Sequence, residues 1–163
     1  MEDPAVADRS PDFETDGFVV LDELLPPDAV AEALAAVERL EDDEDARRRH
    51  GAGIHVNHVG LERLVMRRPP APVRRLADAD AVMLTAATLL ADRSVVTWGH
   101  EVLTKRPATD ETCGAIGWHQ DRPYFHWWEG PTLTAWIALT DQTGDSAPVT
   151  YVPGSHRWGD RLD

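Results

Sequence analysis

The chain has 163 residues, 29 acidic and 16 basic side chains, and a formal net charge of −13. That length suits one domain with a buried core. A content of 42% hydrophobic and 28% charged residues excludes a wholly disordered chain, and the acidic balance argues against a nucleic-acid binder, which needs a basic face. A single cysteine, Cys113, excludes an internal disulfide and a cysteine-built zinc site.

The opening stretch MEDPAVADRSPDFETDG has neither the basic n-region nor the apolar h-region of a signal peptide. No apolar run reaches the roughly 18–20 residues that span a bilayer. A cytoplasmic location with no membrane partner is the expectation. Ser10-Pro11 supplies an N-cap and a first-turn proline and Gly17 a stop, predicting a short helix between them. Phe18–Leu21 reads as a short β-branched strand. Pro26-Pro27 opens a longer helix whose apolar stripe is Val30, Leu34, Val37 and Leu40. The block Glu41–Asp45 followed by Arg47–Arg49 reads as a solvated helix end whose basic residues suit the dipole.

From Gly51 to Pro72 glycines and prolines leave no clear pattern; His55 and His58 have a ligand-like spacing only if helical, and Gly51, Gly53 and Gly60 around them argue for loop, with pocket lining the other reading for the pair. Leu76–Leu90 predicts one helix. Val95–Thr104 then alternates as a strand, with Val96, Trp98, His100 and Val102 on one face. Gly117–Asp121 and Val149–Val152 are shorter strand candidates, and Pro153-Gly154 is a turn. Thr132–Thr140 has the clearest strand pattern, with Leu133, Ile137 and Leu139 on one face and Trp136 on the other. Helices first and strands afterwards imply one α+β domain, with residues 1–92 as mainly helical support and residues 93–163 supplying the strands.

His119-Gln120-Asp121 is the sharpest chemical candidate. On an extended segment residues two apart share a face, so the imidazole and carboxylate converge. A His-x-Asp pair is half of the two-histidine, one-carboxylate triad that leaves open positions on non-haem Fe(II). Spacing alone is weak, because seven histidines and eighteen aspartates in 163 residues give roughly 0.8 such pairs by chance.

Its context carries more. Trp118-His119-Gln120-Asp121 with Tyr124, then Thr134-Ala135-Trp136-Ile137-Ala138-Leu139, then Val152-Pro153-Gly154-Ser155-His156 resemble, in order, motifs of the phytanoyl-CoA dioxygenase family. Phe13–Leu21 and the helix over Leu24–Leu40 resemble its opening blocks. The resemblance implies helices buttressing a double-stranded β-helix, a cupin-like jelly roll, and a dioxygenase dependent on Fe(II) and 2-oxoglutarate. It implies that His119 and Asp121 are iron ligands. It also implies that Trp136, and less directly Val102, lie beside 2-oxoglutarate, although either residue also reads as core. Halogenating relatives replace the carboxylate by a small residue, so Asp121 favours hydroxylation of a small organic substrate, with O2 as co-reactant. Of the aromatic run after the motif, at least one of Tyr124 and Trp127 is a substrate-facing candidate. His126 lies too near the motif to resemble the family's distal histidine, and His156 reads as a structural hydrogen-bonding residue of its turn.

Departures from the family pattern matter equally. Its barrels continue beyond the Pro-Gly-Ser-His turn to a distal iron histidine and a basic residue for 2-oxoglutarate, and neither group can be assigned to a position here. Arg157 and Arg161 do not match the expected place, and Ala147 stands where relatives often carry glycine. The expectation is an incomplete barrel whose full activity needs a completing C-terminal segment or chain. The rivals are a truncated, non-catalytic remnant or binding subunit of the same fold, and a cupin-like protein using Mn or Zn.

Overall fold

The computed structural model describes residues 10–56, 61–91, 94–105, 116–125 and 128–159. Helix α1 covers Ser10–Asp16 and ends at Gly17, whose N–H donates to the Phe13 carbonyl at 2.8 Å and whose φ is +83°. The conformation is one that glycine adopts without a Cβ penalty, so the predicted stop is a real one. Phe18–Leu21 forms no strand. It joins no ladder among the described residues, and Phe18 stacks on Tyr151 with ring centroids 4.9 Å apart.

Helix α2, Pro27–Asp42, starts on a proline that needs no N–H donor there. Its buried face is Ala33, Ala36, Val37 and Leu40, spaced i, i+3, i+4 and i+7. The predicted stripe is therefore rotated toward the alanines, with Val30 packed at the core's margin. Small residues let neighbouring elements approach the helix axis closely, and Leu64, Met66, Val73 and Leu76 complete the same core.

The charged block is a helix of its own, α3, Glu44–His50. Asp43 caps it by accepting from the Ala46 N–H at 2.9 Å, and Gly51, at φ +58°, closes it. Arg47 reaches back to donate to the last-turn carbonyls of Leu40 and Glu41, so the arginines both end α3 and cap α2.

The segment expected to be loop contains two strands, β1 (Ala52–Val56) and β2 (Leu61–Met66), paired antiparallel with Ala52 opposite Met66 and Val56 opposite Glu62. His55 lies on β1, and His58 lies outside the described residues. Burial of Leu64 and Met66, two apart on β2, is the period-2 signal that the flanking glycines and charges mask.

The helix predicted over Leu76–Leu90 is two helices, α4 (Ala71–Ala77) and α5 (Asp80–Leu89). Ala79 between them is extended (ψ 141°), so the chain turns before Asp80 restarts a helix with its acid in the first turn. The Asp78 carboxylate accepts from Thr97 Oγ1 at 2.6 Å, tying the break to the next segment.

Strand β3 is His100–Lys105, paired antiparallel to β2 with Met66 opposite His100 and Leu61 opposite Lys105. The alternation from Val95 does not become ladder, because β2 has only six residues and gives way to Arg67-Arg68-Pro69-Pro70. Val96 (79% exposed) and Trp98 (69%) thus stand in solvent. The sheet is open and three-stranded, in the order β1-β2-β3, with α2 and α4 sharing its core. Two of its strands come from the half expected to be mainly helical support.

Beyond β3 the described chain forms no further strand, only short 3-10 turns at Arg122–Phe125, Gly144–Ser146 and Ser155–Arg157. Gly117–Asp121, Thr132–Thr140 and Val149–Val152 join no ladder among the described residues, although their patterns predict strands. Extended backbone becomes sheet only where a partner supplies the hydrogen bonds. The alternation still governs packing: Ile137 and Leu139 lie against the core while Trp136 is 43% exposed. Together these features make an α+β fold of helices on an open sheet, consistent with part of a double-stranded β-helix. Among the described residues no helix is long and apolar enough to cross a membrane.

Candidate metal centre

His119 and Asp121 lie just before the first 3-10 turn, outside any helix or ladder, and their side chains converge as the i, i+2 spacing predicts. His119 Nε2 lies 3.5 Å from Asp121 Oδ1. The other ring nitrogen, Nδ1, lies 2.9 Å from the Gly117 carbonyl. A carbonyl only accepts, so Nδ1 carries the proton, and in the neutral ring the Nε2 lone pair is left facing Asp121. Metal-binding histidines are oriented in this way, by a carbonyl that fixes the tautomer.

The carboxylate is oriented too. Thr134 Oγ1 donates to Asp121 Oδ2 at 3.3 Å, which leaves Oδ1 as the oxygen turned toward the imidazole. A separation of 3.5 Å suits two neighbouring donors on one divalent cation with bonds of about 2.0–2.2 Å. The pair therefore fits two ligand positions of a metal. Among the described residues no group of three or more His, Cys, Asp or Glu side chains is placed to hold one. Both side chains are about half exposed, so the pair stands open to solvent.

Of the other candidates, Tyr124 is brought to the pair: its ring meets that of His119 edge-on, centroids 6.3 Å apart. Trp127 and His126 lie outside the described residues, as do Cys113 and Arg161. Val102, on β3 opposite Leu64, packs against the core cluster. Trp136 lies two residues beyond Thr134, on the exposed side of its segment. A groove of about 760 Å³ among α2, α3 and the start of α4 contains none of these residues.

Two contributors to this region are not evident from the motif spacing. Gln120, between the two candidate ligands, donates from Nε2 to the Ser155 carbonyl at 3.2 Å. Tyr151 has its phenol pushed above the usual tyrosine range, by burial first and then by the negative charge of Asp121. The His-x-Asp alternation points its middle residue the opposite way, which is the signal by which Gln120 could have been found.

His156 fulfils the structural reading of its turn. Its Nε2 donates to the Glu14 carbonyl at 3.3 Å, and Arg157 Nη2 donates to the same oxygen. Gly154 N–H donates to the Asp16 carbonyl at 2.8 Å. The turn at residues 153–157 thus caps the C-terminus of α1 across some 140 residues of sequence.

A helix-backed open sheet, with a His-x-Asp pair on a segment outside it, makes an α+β protein consistent with part of a double-stranded β-helix. The chain belongs to the phytanoyl-CoA dioxygenase (PhyH) family, whose model matches residues 13–163. It is similar to the ectoine dioxygenase of Bordetella bronchiseptica, 29% identical over 163 residues, covering 95% of this chain and 51% of the relative. The ectoine dioxygenase of Streptomyces anulatus is 27% identical over 167 residues, covering 94% and 52%. The chain spans about half the length of the curated relatives it matches. No solved structure gives a significant match. Membership implies a class of enzymes dependent on Fe(II) and 2-oxoglutarate.

Proposed function

We propose that residues 1–163 form the support and first part of a single Fe(II)/2-oxoglutarate dioxygenase domain, and that by themselves they are non-catalytic. What carries this reading is the site: His119 Nε2 and Asp121 Oδ1 converge to 3.5 Å, and no third ligand stands with them among the described residues. A two-ligand site holds a divalent cation weakly, and the family's chemistry needs both a distal histidine and a basic partner for 2-oxoglutarate. The chain then acts as a metal-ligand-bearing part of the fold, in the reducing cytoplasmic setting that a single cysteine suits.

The test is succinate release. Purified chain with Fe(II), 2-oxoglutarate and O2 is expected to release no succinate above a metal-free control. Sustained release from the isolated chain would overturn the reading, because it requires ligands from within these 163 residues.

A second reading is favoured by the curated relatives, which bear the name ectoine dioxygenase. Completed by a segment carrying the missing groups, the protein is a hydroxylase of a small organic substrate, ectoine being the first to try. In that state His119 and Asp121 would hold Fe(II), which supplies the O2-dependent oxidation coupled to 2-oxoglutarate. Trp136 would flank 2-oxoglutarate, with Val102 the weaker candidate for the same role. Tyr124, already beside His119, and Trp127 would face the substrate. Coupled consumption of 2-oxoglutarate and ectoine by a chain extended to the length of its relatives supports this reading. Consumption of 2-oxoglutarate without ectoine oxidation removes ectoine as the substrate.

A further inference from the structure

We propose that Gln120 is a positioning residue. Through the Ser155 carbonyl it ties the His119/Asp121 pair to a turn held by the C-terminus of α1, so the N-terminal helix sets the placement of the two candidate ligands. The inference deepens the proposed metal site and rests on that reading for its functional meaning. The tether itself stands on geometry alone.

Three observations carry it. Gln120 points away from the two ligands beside it: it is half-buried while His119 and Asp121, like Trp118, are exposed. Its Nε2 then donates to Ser155 O at 3.2 Å, a contact spanning 35 residues. The segment around it joins no ladder among the described residues, so strand pairing does not hold it. The side-chain bonds of His119 to Gly117 and of Thr134 to Asp121 orient the individual ligands. Gln120 instead connects the segment to the remote turn.

That turn is itself fixed. Ser155 N–H donates to Val152 O and Arg157 N–H to Gly154 O, each at 3.1 Å, which sets the direction of the Ser155 carbonyl. Gly154, His156 and Arg157 donate to the Glu14 and Asp16 carbonyls, which a helix end otherwise leaves unpaired. Stacking of Phe18 on Tyr151 fastens the two sides just beyond. A continuous line of named contacts therefore runs from α1 to the turn, to Gln120, and to the residues on either side of it.

The experiment uses the whole chain and two readouts, hydrogen exchange of the backbone amides at 117–121 and titration with Co(II). The variants are Gln120→Ala, Gln120→Glu, whose carboxylate cannot donate to a carbonyl, and Arg157→Ala on the α1 side. Each is expected to speed exchange at 117–121 by about twofold to tenfold, the factor one ordinary hydrogen bond represents. The Gln120→Ala/Arg157→Ala double variant should exceed the larger single effect by little, because both cut one tether. Co(II) affinity should fall by a similar factor in the Gln120 variants, with the global melting temperature unchanged.

Unchanged exchange at 117–121 in both Gln120 variants overturns the proposal. So does acceleration spread evenly over the chain with a lowered melting temperature, which would make Gln120 a general stabiliser. A wild-type chain that takes no Co(II) sinks the metal-site reading instead, and the exchange comparison still decides the tether.

Discussion

Gly17 and His156 are packed so closely that a Cβ at position 17 would lie 2.3 Å from His156 Nδ1. Gly17 also holds φ +83°, so the position is demanding in conformation as well as in space. Gly17→Ala is expected to destabilise the chain by about 1–3 kcal/mol from backbone strain, plus whatever the displaced imidazole loses. Urea unfolding measures the total. Hydrogen exchange at residues 14–18 and 153–157 should rise together, whereas a change confined to α1 would show that the two segments are not one unit.

What the sequence reveals of this unit is uneven, for physical reasons. Gly17 is legible as a helix stop because the signal is local, and the pairing of His119 with Asp121 is legible because the period of an extended chain is two. The partner of the α1 terminus lies some 140 residues away, and no local signal encodes which remote donors meet those carbonyls. The β1–β2 pair is hidden because Gly51, Gly53 and the Arg67-Arg68 pair surround a short run whose inward face shows among the described side chains at Leu64 and Met66. Thr132–Thr140 errs the other way. Its alternation is real and buries Ile137 and Leu139, but ladder formation depends on a partner that periodicity does not reveal.

Ala147 holds a backbone conformation that strains an L-residue. It follows the 3-10 turn Gly144–Ser146 at φ +50°, a left-handed conformation, and its carbonyl accepts from Lys105 Nζ at the end of β3. An L-residue there costs about 1–2 kcal/mol, partly offset in glycine by about 0.5–1 kcal/mol of extra unfolded-state entropy. Ala147→Gly is therefore expected to stabilise by up to about 1 kcal/mol in thermal or urea unfolding. A destabilised variant would mean that the methyl group contributes packing worth more than the strain.

Leu40 is fully buried at 2% exposure, lying where α2 meets the core built with Leu64 and Leu76. Leu40→Ala should cost about 2–5 kcal/mol, lost transfer energy plus a cavity. Leu84 on α5 is 44% exposed, and Leu84→Ala should cost under about 1 kcal/mol. Comparable losses in the two variants would show that the core is not centred on α2.

Asp43 gives the helical side a pH dependence of known sign. Its carboxyl is held below the usual carboxylate range chiefly by the Ala46 N–H, against an opposing desolvation, with the Asp45 N–H and the charges of Arg49 and Arg47 helping. A depressed folded-state value means that the ionised cap stabilises α3 fully above the unfolded-state value. That contribution is lost as pH falls through the depressed one. The Ala46 amide shift should titrate with a midpoint below that of an ordinary aspartate. In Asp43→Asn, which keeps an acceptor but no proton, it should be flat. An unaltered acid titration at Ala46 in that variant would assign the effect to another carboxylate.

Thr134 tests whether the carboxylate of the candidate metal pair is oriented for use. Its hydroxyl donates to Asp121 Oδ2, so Oδ1 is the oxygen presented toward His119 Nε2. Removing that donor frees the carboxylate to rotate without touching either ligand, and loss of such supporting bonds typically costs about 10–100-fold in metal affinity. Thr134→Val, close in shape but without a hydroxyl, should weaken Co(II) binding by about tenfold, and Thr134→Ser should restore most of it. His119→Ala and Asp121→Ala should each abolish binding. If Thr134→Val and Thr134→Ser bind Co(II) alike, the 3.3 Å contact to Asp121 does not orient the ligand.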